Sequence, residues 1–157
     1  MNIPRICLAL PALCLLSACS STQDESEPML HSINPPGVTI PNVSQAVRID
    51  GGKLLLLSGH VPLRADGSVM EGTVEEQLDQ VMRNLDATLR ASGSSFSLVA
   101  RLTLYIRDFE PEELAAIRAV RDRWIDSDRP PASALIGVKS LFHPAVRVEV
   151  DAIAVIP

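Results

Sequence analysis

The chain has 157 residues, of which 46% are hydrophobic and only 3% aromatic, and its formal net charge is −5. This length provides one small domain with a genuine core and is too short for two. The basic residues are scattered, so no positively charged stripe indicates nucleic-acid binding. Aromatic side chains that would stack on bases are scarce, which argues against the same class of partner.

The first residues have the pattern of an export signal. A positive charge at Arg5 is followed by an apolar run over residues 6–16 and then by small residues, which is the order found in signal peptides. The run is too short to cross a bilayer as a helix. Leu16-Ser17-Ala18-Cys19 also fits the lipobox, in which the cysteine is acylated before cleavage. Residues 1–18 are therefore predicted to be a lipoprotein signal peptide, and an ordinary signal peptide is the alternative.

The cysteine positions agree with this prediction. Cys7 and Cys14 lie inside the predicted signal, so Cys19 alone remains in the mature chain and no intramolecular disulfide can form. Several acyl chains on Cys19 would give firm membrane anchorage. Ser20 is not the aspartate that often retains lipoproteins in the inner membrane. We therefore expect a cell-envelope lipoprotein of the outer membrane that faces the periplasm.

The composition changes after Cys19. Residues 20–27 are polar and acidic, and prolines then recur as far as Pro41. This composition is typical of a tether that stiffens toward a folded domain. Residues 19–39 are therefore predicted to be a flexible tether, and residues 40–157 are predicted to be the domain.

The domain begins with two predicted strands. Residues 46–49 and 53–58 flank Asp50-Gly51-Gly52, a tight-turn signal, and together predict a hairpin. The second strand contains four consecutive leucines and is predicted to be buried on both faces. The clearest helix follows, because Thr73 and Glu76 have capping-box spacing.

The rest of the domain alternates helices and strands. The first helix is predicted to end at Gly93, residues 98–107 alternate as a strand, and a second helix is predicted from Pro111 to about Ile125. Residues 132–138 and 145–155 predict two further strands. The order β-β-α-β-α-β-β indicates an α+β fold with two helices on one face of a mixed sheet. The opposite face then needs a cover, for which we expect oligomerisation.

Six segments of the domain occur in an order and at a spacing that resembles the RidA/YjgF family of reactive-intermediate deaminases. The segments are Ser44-Gln45-Ala46-Val47, Leu57-Ser58-Gly59-His60, residues 80–93, Tyr105-Ile106-Arg107-Asp108, Arg129-Pro130-Pro131-Ala132-Ser133 and residues 148–155. The resemblance covers nearly everything from Ile40 onward. It implies a chorismate mutase-like fold and a homotrimer, with a small-molecule ligand in a cleft at each subunit interface.

The resemblance also implies a chemistry and its residues. The family hydrolyses enamines and imines derived from amino acids: water adds to the C=N carbon and ammonia leaves. Glu149 falls on the acidic residue of the last strand that positions or activates water. Gly59 falls on the glycine whose backbone lines the pocket, and the backbone from Ser133 to Leu135 would orient the ligand.

The chain departs from the family pattern at three pocket positions. Ser133 replaces the arginine that binds the substrate carboxylate, Val43 replaces a tyrosine, and Ala116 replaces an asparagine. Losing one partner of a buried charge pair costs on the order of 2–5 kcal/mol. Two hypotheses follow: an envelope-anchored enzyme that hydrolyses a small imine or enamine, or a trimeric module that binds a small molecule without chemistry. A structural role at the envelope is a third.

The arginines near the last strand allow two interpretations of whether the missing arginine at Ser133 is replaced. Either Arg107 or Arg147 reaches into the cleft as a substitute, or Arg147, Glu149 and Asp151, on one face of the last strand, form a solvated or inter-subunit row of ion pairs.

Other site chemistries have little support in the sequence. The three histidines, His31, His60 and His143, have no metal-ligand spacing. No Gly-x-Ser-x-Gly motif surrounds Ser58 or Ser133. We therefore predict no metal, no cofactor and no serine triad. His60, next to Gly59, is expected to be a polar residue of the cleft, with an acid–base role as the alternative.

Overall fold

The computed structural model describes residues 29–37 and 39–157. The predicted signal peptide, Cys19 and the first part of the predicted tether lie outside the described residues. The strands are β1 Leu30–Ile33, β2 Ala46–Ile49, β3 Lys53–His60, β4 Val99–Arg107, β5 Ala132–Val138 and β6 Val148–Ile156, and the helices are α1 Val74–Ala91 and α2 Leu114–Arg121. No helix in this part of the chain combines the length and apolarity needed to span a membrane.

The main sheet has four strands in the order β3-β6-β4-β5. β4 and β5 run parallel, and the other two pairs are antiparallel. One face of the sheet packs against α1 and α2, and the core between them includes Leu102, Leu104, Val148 and Val150. The predicted α+β fold, with a mixed sheet and two helices, is confirmed.

The first helix follows its sequence signals. The Thr73 hydroxyl accepts from the Glu76 amide at 3.3 Å, and the Thr73 amide donates to the Glu76 carboxylate at 2.9 Å. This reciprocal capping box satisfies two amides that a helix start leaves unpaired. Gly93, just past the end, has a φ of +75°, a left-handed conformation that glycine adopts at little cost. The apolar face of α1 is fully buried on the sheet.

The predicted hairpin between the first two strands is wrong. β2 pairs with β1, in register from Leu30 opposite Ile49 to Ile33 opposite Ala46, whereas β3 pairs with β6. β1 lies within the predicted tether of residues 19–39, so residues 30–33 form a strand there. Leu30 is buried with Ala100 and Val155. The β1–β2 ribbon thus covers one end of the sheet face opposite the helices.

The prediction that β3 is buried on both faces is also wrong. β3 is an edge strand, and Leu54 and Leu56 are 64% and 74% exposed. Leu57 faces the helix side and is buried. Ile136 on β5 is also exposed on the open face, at 41%. An apolar strip on a sheet face is the feature that oligomerisation would cover.

The second helix is shorter than predicted. A 3-10 turn, Pro111–Glu113, precedes it, and α2 ends at Arg121. The chain then turns, and both Arg123 Nη2 and Trp124 Nε1 donate to Asp79 Oδ1, at 3.0 and 3.2 Å. Burial raises the pKa of Asp79, but the hydrogen bonds from Arg83, Arg123 and Trp124 outweigh it and hold the pKa below its ordinary value. Asp79 therefore ties α1 to the chain that follows α2.

Candidate functional site

A β-bulge places Gly59 beneath Glu149. Leu57 lies opposite Ala152 and His60 lies opposite Val150, so β3 has one more residue than β6 between these pairs. A Cβ atom on Gly59 would lie 2.8 Å from the Glu149 Cδ atom and would overlap its carboxylate. Only glycine leaves room for this approach. Glu149, which is predicted to handle water, and Gly59, which is predicted to line the pocket, therefore lie in contact.

The carboxylate of Glu149 has no competing partner among the residues that the structure describes. Val148 and Val150 are fully buried on the helix side, so Glu149 lies on the opposite face and is partly exposed. Among residues 29–37 and 39–157, no side chain or amide makes a hydrogen bond or ion pair with it. Arg147 instead forms an ion pair with Glu113 at 3.0 Å. Within one chain, Arg147 therefore pairs with Glu113 and not with Glu149.

Tyr105 and Asp151 form a second polar pair beside Glu149. Tyr105 lies opposite Glu149 in the β4–β6 register, and its hydroxyl donates to Asp151 Oδ2 at 3.0 Å. This hydrogen bond raises the pKa of Tyr105, and burial and the charges of Asp151 and Glu149 raise it further. The phenol therefore stays protonated at neutral pH. Asp151 is occupied, whereas the Glu149 carboxylate remains available to hold a water molecule.

Three other predicted residues meet in a separate cavity. Val43, Ser133 and Leu135 line a cavity of about 130 Å³ between α2 and the edge strand β5. The full lining is Ile40, Val43, Leu104, Leu114, Ile117, Arg118, Arg121, Ser133 and Leu135. Six of these nine residues are apolar, so we call this space the apolar cavity.

Hydrogen bonds from the segment before β2 fix one wall of the apolar cavity. The Ser44 amide donates to the Pro131 carbonyl at 3.1 Å, and the Ser44 hydroxyl donates to the Pro130 carbonyl at 2.5 Å. Ser44 is buried, which removes these bonds from competition with water. Val43 is thereby held next to the start of β5, where Ser133 lies.

Two arginines that are not among the predicted site residues line the apolar cavity. The Arg121 side chain is buried, and its Nε and Nη2 atoms donate to Asp122 Oδ1 at 2.8 and 2.6 Å. Asp122 also accepts from Asn42 Nδ2 at 2.7 Å. Arg118 is exposed, and its guanidinium has no hydrogen-bond or ion-pair partner in the described part of the chain. The signal was present, because Leu114, Ile117, Arg118 and Arg121 have the i, i+3, i+4, i+7 spacing of one helix face.

The two groups of predicted residues do not meet within one chain. Gly59 and Glu149 lie at the β3–β6 pair, with Glu149 on the face away from the helices. Ser133 and Leu135 lie on β5, beyond β4, and Leu135 packs against the core on the helix side. One strand, β4, separates Glu149 from β5, two strands separate Gly59 from it, and the two groups lie on opposite faces of the sheet.

Two further predicted residues lie outside both groups. Ala116 lines a groove between α1 and α2, together with Asp79, Ala119 and Arg123. Arg107 donates from Nη1 to the Pro144 carbonyl and lies 3.6 Å from Asp108. The structure thus gives Arg107 a role at the loop before β6 and places Ala116 on the outer side of the helices.

His60 connects β3 to α1. Its Nδ1 atom lies 2.8 Å from the Ser58 carbonyl, and its Nε2 atom lies 2.8 Å from Thr88 Oγ1. A carbonyl oxygen only accepts, so Nδ1 carries a proton. Both ring nitrogens are engaged, which favours a structural role over an acid–base role. No group of three or more histidine, cysteine, aspartate or glutamate side chains in residues 29–37 and 39–157 could hold a metal ion.

Comparison with known proteins identifies the family of this chain. The family model described as Endoribonuclease L-PSP matches residues 36–156. Protein DfrA of Myxococcus xanthus is 40% identical over 127 residues, which cover 80% of this chain and 93% of that protein.

Solved structures show the same relationship. A protein of the conserved Rid family from Yersinia pestis, YyfB, is 32% identical with a TM-score of 0.78, covering 82% of this chain and all of that one. A YjgF family member from Neisseria meningitidis is 32% identical with a TM-score of 0.57, covering 76% of this chain and 91% of that one. The match to the family model over most of the chain, together with these relatives, shows that the chain belongs to the RidA/YjgF family.

Proposed function

We propose that this protein is an envelope-anchored enzyme that hydrolyses a small imine or enamine, such as one derived from an amino acid, in clefts between the subunits of a homotrimer. The observation that carries the proposal is the Glu149 carboxylate, which is held against Gly59 and has no partner among the described residues. A carboxylate placed in this way can accept a proton from a bound water molecule.

Assembly accounts for the separation of the two groups. The family is typically homotrimeric. A rotationally symmetric assembly brings one surface of a chain against a different surface of the next chain. The Glu149 and Gly59 pair of one subunit would then complete the apolar cavity of its neighbour. The exposed Leu54, Leu56 and Ile136 give such an assembly apolar surface to bury.

The reaction needs one base and one water molecule. Glu149 takes a proton from the water as the water oxygen forms a bond to the imine carbon, and it passes that proton to the imine nitrogen. In the resulting carbinolamine, Glu149 relays the hydroxyl proton to the nitrogen as the C–N bond breaks, the C=O bond forms and ammonia leaves. General base catalysis of this kind contributes roughly 10²- to 10⁴-fold to a rate.

Ammonia release tests the proposal. Freshly generated 2-iminopropionate or 2-iminobutyrate is added to the purified full-length protein, and ammonia is measured over the spontaneous rate. We expect the protein to accelerate release and a Glu149→Ala control to abolish the acceleration. If the wild-type protein released ammonia no faster than the Glu149→Ala control, the proposed enzymatic activity would be ruled out.

The alternative is a binding module without chemistry. The apolar lining favours it, because Val43 and Ser133 stand where the family carries a tyrosine and an arginine. A ligand that raised the thermal unfolding temperature, together with no ammonia release from any imine, would favour this function over catalysis.

We also propose that Cys19 carries the lipid that anchors the protein in the outer membrane, facing the periplasm. The support is the lipobox sequence Leu16-Ser17-Ala18-Cys19. Fractionated cells would then contain the ammonia-releasing activity in the outer-membrane fraction, and a Cys19→Ala chain would lose it from there. Activity that stayed with the soluble fraction of wild-type cells would contradict the anchor.

A further inference from the structure

We propose that Arg118 on α2 binds the carboxylate of the ligand, and that the apolar cavity accepts a small monocarboxylate with a short apolar body. This rests on the proposed function, since it concerns the ligand of the same cleft. In this proposal, Arg118 on α2 supplies the positive charge that the family arginine would provide at the position of Ser133.

The charges around the apolar cavity single out Arg118. Arg121 also lines the cavity, but its charge is balanced by Asp122, whose other oxygen accepts from Asn42. Arg118 has no such partner in the described part of the chain, and it is exposed. The two arginines and Asp122 therefore leave one positive charge unbalanced at the cavity. A guanidinium presents paired N–H donors that match the two oxygens of a carboxylate.

The other arginines considered from the sequence are engaged elsewhere. Arg107 donates to the Pro144 carbonyl, and Arg147 pairs with Glu113 and donates to the Arg107 carbonyl. Neither lines the apolar cavity. Recruiting either one would break contacts that hold the loop before β6.

The walls and size of the cavity define the rest of the ligand. Leu104 and Ile117 are buried, and Ser133 is the one uncharged polar residue in the lining. A volume of about 130 Å³ is close to that of an apolar cavity of about 150 Å³ that holds benzene. The part of the ligand that lies inside this subunit's cavity is therefore about four to six heavy atoms. The Ser133 hydroxyl can make one hydrogen bond to it, which suits a single polar substituent.

Equilibrium binding of a stable probe tests Arg118 without any turnover. Isobutyrate and its uncharged isostere isobutyramide are titrated against the full-length protein by ligand-observed NMR. A hydrogen bond to a charged group is strong enough for about a tenfold change in affinity. We expect wild type to prefer isobutyrate by about tenfold or more and Arg118→Gln to lose that preference. Arg90→Gln, at an exposed arginine on α1, serves as the matched control and keeps it.

A second variant guards against a merely structural effect. Adding Ser133→Arg to Arg118→Gln places a guanidinium in the same cavity, so isobutyrate binding should return. If wild type shows no preference for the carboxylate, or if Arg118→Gln retains it, the inference is overturned. Failure to release ammonia, with Arg118-dependent isobutyrate binding intact, would overturn the proposed reaction and leave this inference standing. If the wild-type protein releases ammonia but Arg118→Gln still prefers isobutyrate, the proposed reaction stands and the inference about Arg118 is overturned.

Discussion

Glu149→Gln is expected to lower the rate of ammonia release from 2-iminobutyrate by at least about 100-fold. Glutamine has nearly the same shape as glutamate but cannot take a proton from water. Glu149 has no hydrogen-bond or ion-pair partner in residues 29–37 and 39–157, so the change should leave packing and assembly intact. Initial rates of the two purified proteins measure the effect, and their unfolding temperatures should agree closely.

Asp151→Asn is the matched control for Glu149→Gln. Asp151 lies on the same strand and the same face, but its carboxylate accepts the Tyr105 hydroxyl. An amide oxygen can still accept that hydrogen bond, so we expect a rate within a few-fold of wild type. If Asp151→Asn lost activity and Glu149→Gln kept it, the general base would be Asp151 and the assignment to Glu149 would be wrong.

Gly59→Ala is expected to reduce activity about as strongly as Glu149→Gln, with little loss of stability. The added methyl group would overlap the carboxylate of Glu149, which lies at the end of a flexible side chain and can move away. Gly59 does not have a left-handed φ, so alanine fits its backbone. The variant therefore displaces the base without removing it. Thermal unfolding and ammonia release, measured on the same preparation, separate the two effects.

Gly51→Ala controls for the loss of a glycine as such. Gly51 also lacks a left-handed φ, and a methyl group there would make only ordinary contact with Met29. We expect unchanged rate and stability. Full activity in Gly59→Ala would show that the position of the Glu149 carboxylate against β3 does not matter for the reaction.

The parts of the fold that local sequence determines were predicted correctly. Thr73, Glu76 and Gly93 bound α1 because capping involves neighbours in the chain. The alternation in β4 also placed its apolar side chains on the core. These signals involve short-range geometry, which a single sequence displays directly.

Strand pairing was predicted poorly, because its partners are distant in sequence. Asp50-Gly51-Gly52 signals a turn, but it leads from β2 in one sheet to β3 in another. Gly52 has a φ of +79°, and a Cβ atom there would approach the Ile156 carbonyl, so this glycine serves the contact with β6. The leucines of β3 indicate apolar surroundings, but they do not reveal whether another strand or another subunit supplies them.

The candidate site was predicted through the resemblance more than through the residues themselves. Glu149 and Gly59 lie in contact, and Val43, Ser133 and Leu135 share a cavity, while the roles of these residues stay predictions. Arg118 was not predicted, because strand alternation places arginines only on strands, whereas Arg118 lies on a face of α2. The location of Ala116 was equally hard to predict, because the side of α2 on which a residue lies depends on its position around the helix axis.

The most direct test of a site shared between subunits is complementation in mixed oligomers. Glu149→Gln lacks the base, and Ser133→Trp should fill the apolar cavity; each should be inactive alone. In randomly mixed trimers about one quarter of the clefts would combine an intact cavity with an intact Glu149 from the neighbour. We predict that ammonia release returns to about one quarter of the wild-type rate after the variants are dissociated and reassembled together. Mixed oligomers confirmed by mass that release no ammonia above the spontaneous rate would contradict the shared site.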